Sequence, residues 1–205
     1  MFIMEKKIIV SLGRQYGSGG RELGRKVADE LGIAYYDREI MQEVAKKSGM
    51  AVDYLESNDE QAPGFFDYAT IGRFGLPHLF GSSQNFVMLS DAIKNIACKE
   101  SCLIVGRTAD YILREDPSLI KIFVHASRRY RILRVSRRLN VEPEEADSLI
   151  TRYDKERARF YDFFTDKTWG QADSYDLCVD VSKLGMEDAC QLVIDYIKMR
   201  YEKFK

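Results

Sequence analysis

Apolar positions follow two patterns along this chain: short continuous runs, and longer stretches in which they return every three or four residues. Ile8, Ile9, Val10 and Leu12 form the first run, which ends in a glycine cluster spanning residues 13–20. Behind it Leu23, Val27 and Leu31 fall four apart on one helical face, and Gly32 is a natural stop. A second short strand is expected at 33–37, followed by a helical pattern carrying Ile40, Met41, Val44 and Ala45. Continuous apolar runs return at 102–106, 119–124 and 175–181, as expected of strands covered on both faces. Helical spacing marks about 85–99, 127–139, 144–163 and 185–203. Strands alternating with helices predict an α/β fold in which right-handed crossovers build a five-stranded parallel sheet with helices on both faces.

Residues 57–84 depart from both patterns. Pro63, Gly64, Gly72, Gly75, Pro77 and Gly81 interrupt them, with Phe65, Phe66, Tyr68, Phe74 and Phe80 scattered between. The stretch is too aromatic for a disordered linker and too broken for one helix, so a loop-rich excursion packed over a site is expected.

The strand, glycine loop and helix at the N-terminal end form an arrangement suited to binding an anion. Loop N–H groups and the unpaired donors of a helix start converge there, and the helix dipole favours negative charge. Residues 13–22 are read as a phosphate-binding loop, with a glycine-rich turn joining strand to helix as the plainer alternative. The pattern G-x-x-x-x-G-K-[ST] is only partly met: with Gly19 as its second glycine, Arg14, Gly20 and Arg21 occupy the positions of first glycine, lysine and hydroxyl. Arg21 or Arg14 could replace the missing cation, because guanidinium grips phosphate oxygens in pairs. The hydroxyl for a Mg²⁺ ion has no replacement in this pattern unless Ser18 supplies it.

The composition narrows the partners. The 205 residues are 45% apolar and 31% charged with a net charge of −1, which suits one globular domain and argues against bulk attraction to nucleic acid or acidic membranes. The four cysteines form no C-x-x-C pair and there are two histidines, so no metal site is expected, and buried reduced thiols in a cytoplasmic protein are the expected reading. Glu5, Lys6 and Lys7 precede any apolar run, which predicts no signal peptide, and nothing approaches the roughly 18 apolar residues of a membrane span.

In a parallel sheet, ligands collect at the carboxyl ends of the strands. That rule brings together the glycine loop, Asp37 with Arg38 after strand two, Arg107 after strand three and His125 after strand four. The arginines from 128 to 159 admit three readings: a solvated helical hairpin, a nucleic-acid surface, or a lid that brings arginines to a polyphosphate. For the lid, Arg152 and Arg159 lie two helical turns apart and share a face.

Taken together, the loop, Tyr36-Asp37-Arg38, Gly106-Arg107, the segment 121–127 with its arginine-rich helix, Arg152 with Arg159, and Tyr175-Asp176-Leu177 resemble the cytidylate-kinase-like family of P-loop proteins, from about residue 6 to 200. The resemblance implies a three-layer α/β/α P-loop kinase fold, as one domain over 1–205. It further implies a monophosphate-binding flap near 55–84 and a lid near 137–165. It implies transfer of the γ-phosphate of ATP, with Mg²⁺, to a small acceptor such as CMP or dCMP. Gly17, Ser18, Gly19, Gly20 and Arg21 would hold the ATP phosphates. Asp37, Arg38 and Arg107 would hold the acceptor, while Arg21, Arg152 and Arg159 would serve as catalytic cations. Nucleotides are the expected partners. The alternative is a nucleotide-binding regulatory domain with little or no turnover, which the absent lysine favours.

Overall fold

The computed structural model describes residues 7–37 and 83–203. The helix expected near 40–45 and the aromatic stretch up to residue 82, which includes nearly all of the expected flap, lie outside the described residues. Arg38 does too.

Strand β1 (Ile9–Arg14) is central, flanked by β3 (Cys102–Val105) and β4 (Leu119–His125). Strand β2 (Ala34–Tyr36) extends the sheet beyond β3, and β5 (Leu177–Asp180) extends it beyond β4. The order is β2-β3-β1-β4-β5 and every pairing is parallel. Side-chain alternation splits the core in two. Ile8, Val10, Leu12, Leu103, Val105, Ile120 and Ile122 face helix α1 (Gly20–Leu31) and the C-terminal helix, residues Met186–Lys203. Ile9, Cys102, Ile104 and Leu119 face α2 (Ser83–Lys99) and a one-turn helix α3 (Ala109–Ile112). Both faces are covered, which is why the strands read as unbroken apolar runs rather than as alternating ones.

Local chemistry sets the element ends. Gly32 closes α1 with φ +64°, its N–H donating to the carbonyls of Ala28 and Asp29. Beyond β4, Ser127 caps α4 (Arg128–Leu139), and α5 (Pro143–Phe164) begins with proline in its first turn. These two helices form a hairpin over the segment expected as a lid. Val135, Ala146, Ile150 and Tyr153 close around Tyr16 of the glycine loop in a third apolar cluster. The strand expected to run to residue 181 stops at Asp180, whose carboxylate accepts the Ser182 N–H and starts the short helix α6 (Val181–Leu184). Gly185 follows at φ +82° and leads into α7, the C-terminal helix.

The thiols are less uniformly buried than expected. Cys102 and Cys190 are buried, Cys178 is partly buried and Cys98 is exposed; all four are free. No helix among the described residues is long and apolar enough to cross a membrane.

Candidate functional site

The glycine loop bridges the end of β1 and the start of α1. Gly17 and Gly19 take φ +77° and +90°, a region that costs residues with a Cβ. A Cβ on Gly17 would also lie 2.8 Å from Val135 Cγ2 and 3.1 Å from the Arg131 carbonyl, so α4 passes too close for a side chain. The loop is tied internally as well. Ser18 is fully buried, and its N–H and hydroxyl both donate to the Gln15 carbonyl, at 3.3 and 2.9 Å. Gln15 Oε1 in turn accepts the Ala126 N–H across the sheet end. Gly19 caps α1 without a side-chain bond, so the first-turn N–H groups face outward as a helix start leaves them.

Over that start lies a cavity of about 230 Å³, lined by Gly17, Gly19, Gly20, Tyr16, Gln15, Glu22 and the arginines 14, 21, 134, 138 and 157. The hairpin holds this ring in place. Asp154 on α5 accepts the Tyr16 N–H at 2.7 Å and pairs with Arg131, which is buried and also donates to the Tyr16 carbonyl. Arg157 is 5% exposed and donates through Nη1 to the Arg14 carbonyl at 3.1 Å. Arg138 donates to the Tyr16 hydroxyl at 2.8 Å, and Arg134 pairs with Glu22. One carboxylate and a set of guanidinium groups thus brace the loop from the hairpin side, and most of the cavity's formal charge is positive.

Arg14 and Arg157 also line a second, smaller cavity, of about 20 Å³, between the ends of β1 and β3. Arg107, Thr108, Asp110, Tyr161, Trp169 and Tyr175 complete much of its wall. Arg107 and Thr108 adopt left-handed conformations, with φ 61° and 52°, and Arg107 is buried. Asp110 accepts a hydrogen bond from Tyr161 Oη at 2.7 Å. Burial pushes the Asp110 carboxyl above its usual range despite that bond, and it raises the Tyr161 and Tyr175 phenols as well.

A raised carboxyl pKa means that the folded protein keeps this proton to higher pH than the unfolded chain does, so the associated stability is lost as pH rises through the carboxylate range. Asp110→Asn keeps an oxygen for Tyr161 and should flatten that decline in thermal melts recorded from about pH 4 to about pH 7. A variant with the wild-type slope would contradict this assignment.

The residues singled out from the sequence fall into three groups. Gly17, Gly19, Gly20 and Arg21 line the larger cavity, and Ser18 lies beneath it. Arg21 is engaged by Asp37, with Nε 2.8 Å from Oδ2 and Nη2 donating to Oδ1 at 3.5 Å. Arg107 lines the smaller cavity. Arg152 and Arg159 do share a face, but both are exposed and neither lines a cavity described here; Arg152 lies over the Tyr153 ring. The buried stripe of α5 is Ala146, Ile150, Tyr153, Arg157 and Tyr161, so the arginine presented to the loop is Arg157. Asp154, Arg157, Tyr16 and Asp110 are site residues that the sequence motifs do not single out. The spacing of that stripe was the signal for Arg157.

Among the described residues, the side chains at the loop do not build a Mg²⁺ site. The Ser18 hydroxyl is turned to Gln15, Glu22 pairs with Arg134 and Asp37 with Arg21. No group of three or more His, Cys, Asp or Glu side chains among the described residues is arranged to hold a metal.

An all-parallel sheet of this order, with a glycine loop running from its central strand into a helix, is the P-loop kinase fold. The shikimate kinase of Acinetobacter baumannii, solved with shikimate, shares that fold: the match covers 98% of each chain at 14% identity and a TM-score of 0.53. An uncharacterized protein from Eubacterium ventriosum is more similar, with 27% identity and a TM-score of 0.72 over 94% of this chain and 99% of that one. The chain belongs to the cytidylate kinase-like family, whose model matches residues 9–183. The cytidylate kinase of Thermoplasma volcanium is 25% identical over 191 residues, 92% of this chain and 90% of that one.

Proposed function

We propose that the protein is a nucleoside monophosphate kinase that passes the γ-phosphoryl of ATP to a phosphorylated acceptor, with CMP or dCMP the first acceptors to test. The observation that carries this reading is the pair of adjoining cavities. One lies over a helix start and is ringed by arginines, the other holds Arg107, and Arg14 and Arg157 belong to both. In the proposed reaction an acceptor phosphate oxygen attacks Pγ. The bond from Pγ to the β,γ-bridging oxygen breaks, and its electron pair leaves with ADP. A monophosphate dianion has no proton to surrender, so no general base is required.

The parts divide accordingly. The N–H groups of residues 17–21 hold donor phosphates, and the arginines of α4 and α5 offset the charge that builds on the transferring group. Arg107, Asp37 and Arg38 hold the acceptor, with Arg21 fixing Asp37 in place. Arg152 and Arg159 take no part. Mg²⁺, where used, arrives on the nucleotide. The proposed activity belongs in the cytoplasm, where nucleotide pools meet a reducing environment suited to four free cysteines.

A second reading, a nucleotide-binding regulatory domain, is favoured by Gly20 at the lysine position. Transfer of labelled γ-phosphate from ATP to CMP, dCMP, UMP and AMP, with Mg²⁺ or Mn²⁺ present, separates the two. The kinase reading expects a labelled diphosphate from at least one acceptor. Measurable ATP binding with no transfer to any acceptor would replace it with the regulatory one.

A further inference from the structure

We propose that Arg14, at the end of β1, is the phosphate-binding cation that stands in for the absent loop lysine, and that Gly20 is a glycine because the stem of Arg14 runs across it. The proposal rests on the phosphotransferase reading of the glycine loop and names the cation of that site. Gly20 follows Gly19 directly, in the register where the pattern expects lysine. A Cβ there would lie 2.6 Å from Arg14 Cβ and 3.1 Å from its Cγ. The stem of Arg14 therefore occupies the ground from which any side chain at residue 20 would start. At the other end, a Cβ on Gly106 would lie 2.0 Å from Arg14 Nη1 and 3.1 Å from its Cζ. Arg14 thus runs from the start of α1, where its stem excludes a side chain at residue 20, to the turn after β3, where its tip lies against Gly106 at φ +70°.

That arginine is 6% exposed, and it borders both the cavity over the loop and the one beside Arg107. A lysine on the first turn of α1 would reach the outer phosphates from the helix side. Arg14 reaches the boundary between the two cavities from the strand side, with a fork that fits two phosphate oxygens. The walls of the two cavities together carry six arginines and two carboxylates, Glu22 and Asp110, an excess of positive charge that a polyphosphate would balance. The exchange is reciprocal: the cation moves to residue 14, and residue 20 gives up its side chain to let it pass.

Titration calorimetry with inorganic tripolyphosphate and ADP tests this without requiring turnover. Arg14→Ala should weaken both by about ten- to a hundredfold, the size of a charge-assisted contact. In an Arg14→Gly background, which removes both the Cβ and the Cγ that lie against residue 20, Gly20→Lys should recover at least about tenfold. In the wild-type background Gly20→Lys should lower the melting temperature instead. If Arg14→Ala does not fold, Arg14→Met keeps the stem, drops the charge and should show the same loss of affinity, with no recovery expected from Gly20→Lys beside it.

Wild-type affinity in a folded Arg14 variant, or no recovery from Gly20→Lys in a folded Arg14→Gly protein, would overturn the assignment of Arg14 while leaving the kinase reading intact. Failure of wild-type protein to bind either polyphosphate would overturn both. Binding that behaves as expected in a protein that transfers no phosphate would support the Arg14 assignment and reject the kinase reading.

Discussion

Arg157→Ala is expected to lower kcat by at least about a hundredfold, while Arg152→Ala and Arg159→Ala stay within about twofold of wild type. The three residues lie on one helix and differ in which way they face. Arg157 sits on the buried stripe of α5, donates to the Arg14 carbonyl and borders both cavities, whereas Arg152 and Arg159 face solvent. Under the proposed function, a guanidinium at the junction of the two cavities can stabilise charge that exists only during transfer, so its loss should fall on kcat more than on KM. Stability should fall as well, by about 1–3 kcal/mol, because a buried carbonyl loses its charged donor. Arg157→Lys keeps the charge without the fork and should be intermediate in kcat, which separates a lost cation from a loosened loop. Full turnover in folded Arg157→Ala, or its abolition in Arg152→Ala or Arg159→Ala, would return the role to the exposed pair.

Gly19→Val is expected to abolish nucleotide binding and leave most of the fold in place. At φ +90° a β-branched residue is strained by about 1–3 kcal/mol, and the loop should relieve that strain by turning its N–H groups away from the cavity. The closest atom to an added Cβ is Met186 Cε at 2.7 Å, the tip of a flexible side chain that can move aside. Gly17 differs in this respect, because its neighbours include the Arg131 backbone carbonyl. Gly17→Val should therefore push α4 off the loop and cost more in melting temperature than Gly19→Val, which thermal melts of the two variants would compare.

The arrangement of layers was legible because each element carried a physical signature. Unbroken apolar strands, four-residue spacing in α1 and the Gly32 stop each reported burial or backbone geometry directly. What the sequence did not reveal depended on long-range partners or on unusual backbone. Helix α3 follows two non-glycine residues at positive φ, Arg107 and Thr108, for which sequence gives no cue. Arg21 looked like a free cation until folding brought it onto Asp37.

Two further features carry a signal in the sequence. Asp180 two residues before Ser182 is a helix-start signal inside an apolar run. On α5, the distance between Arg152 and Arg159 showed that they share a face but not which face it is. The apolar residues 146, 150, 153 and 161 settle that, and Arg157 is the arginine among them.

The central claim is that the glycine loop, with its arginines, is a binding site for nucleotide phosphates. Calorimetric titration of ATP into the wild-type protein and into Gly19→Val, at matched salt, tests it most directly. The account predicts saturable binding to the wild type and no detectable heat of binding to a folded Gly19→Val variant. Equal affinity in the two proteins, or no ATP binding by the wild type, would contradict it.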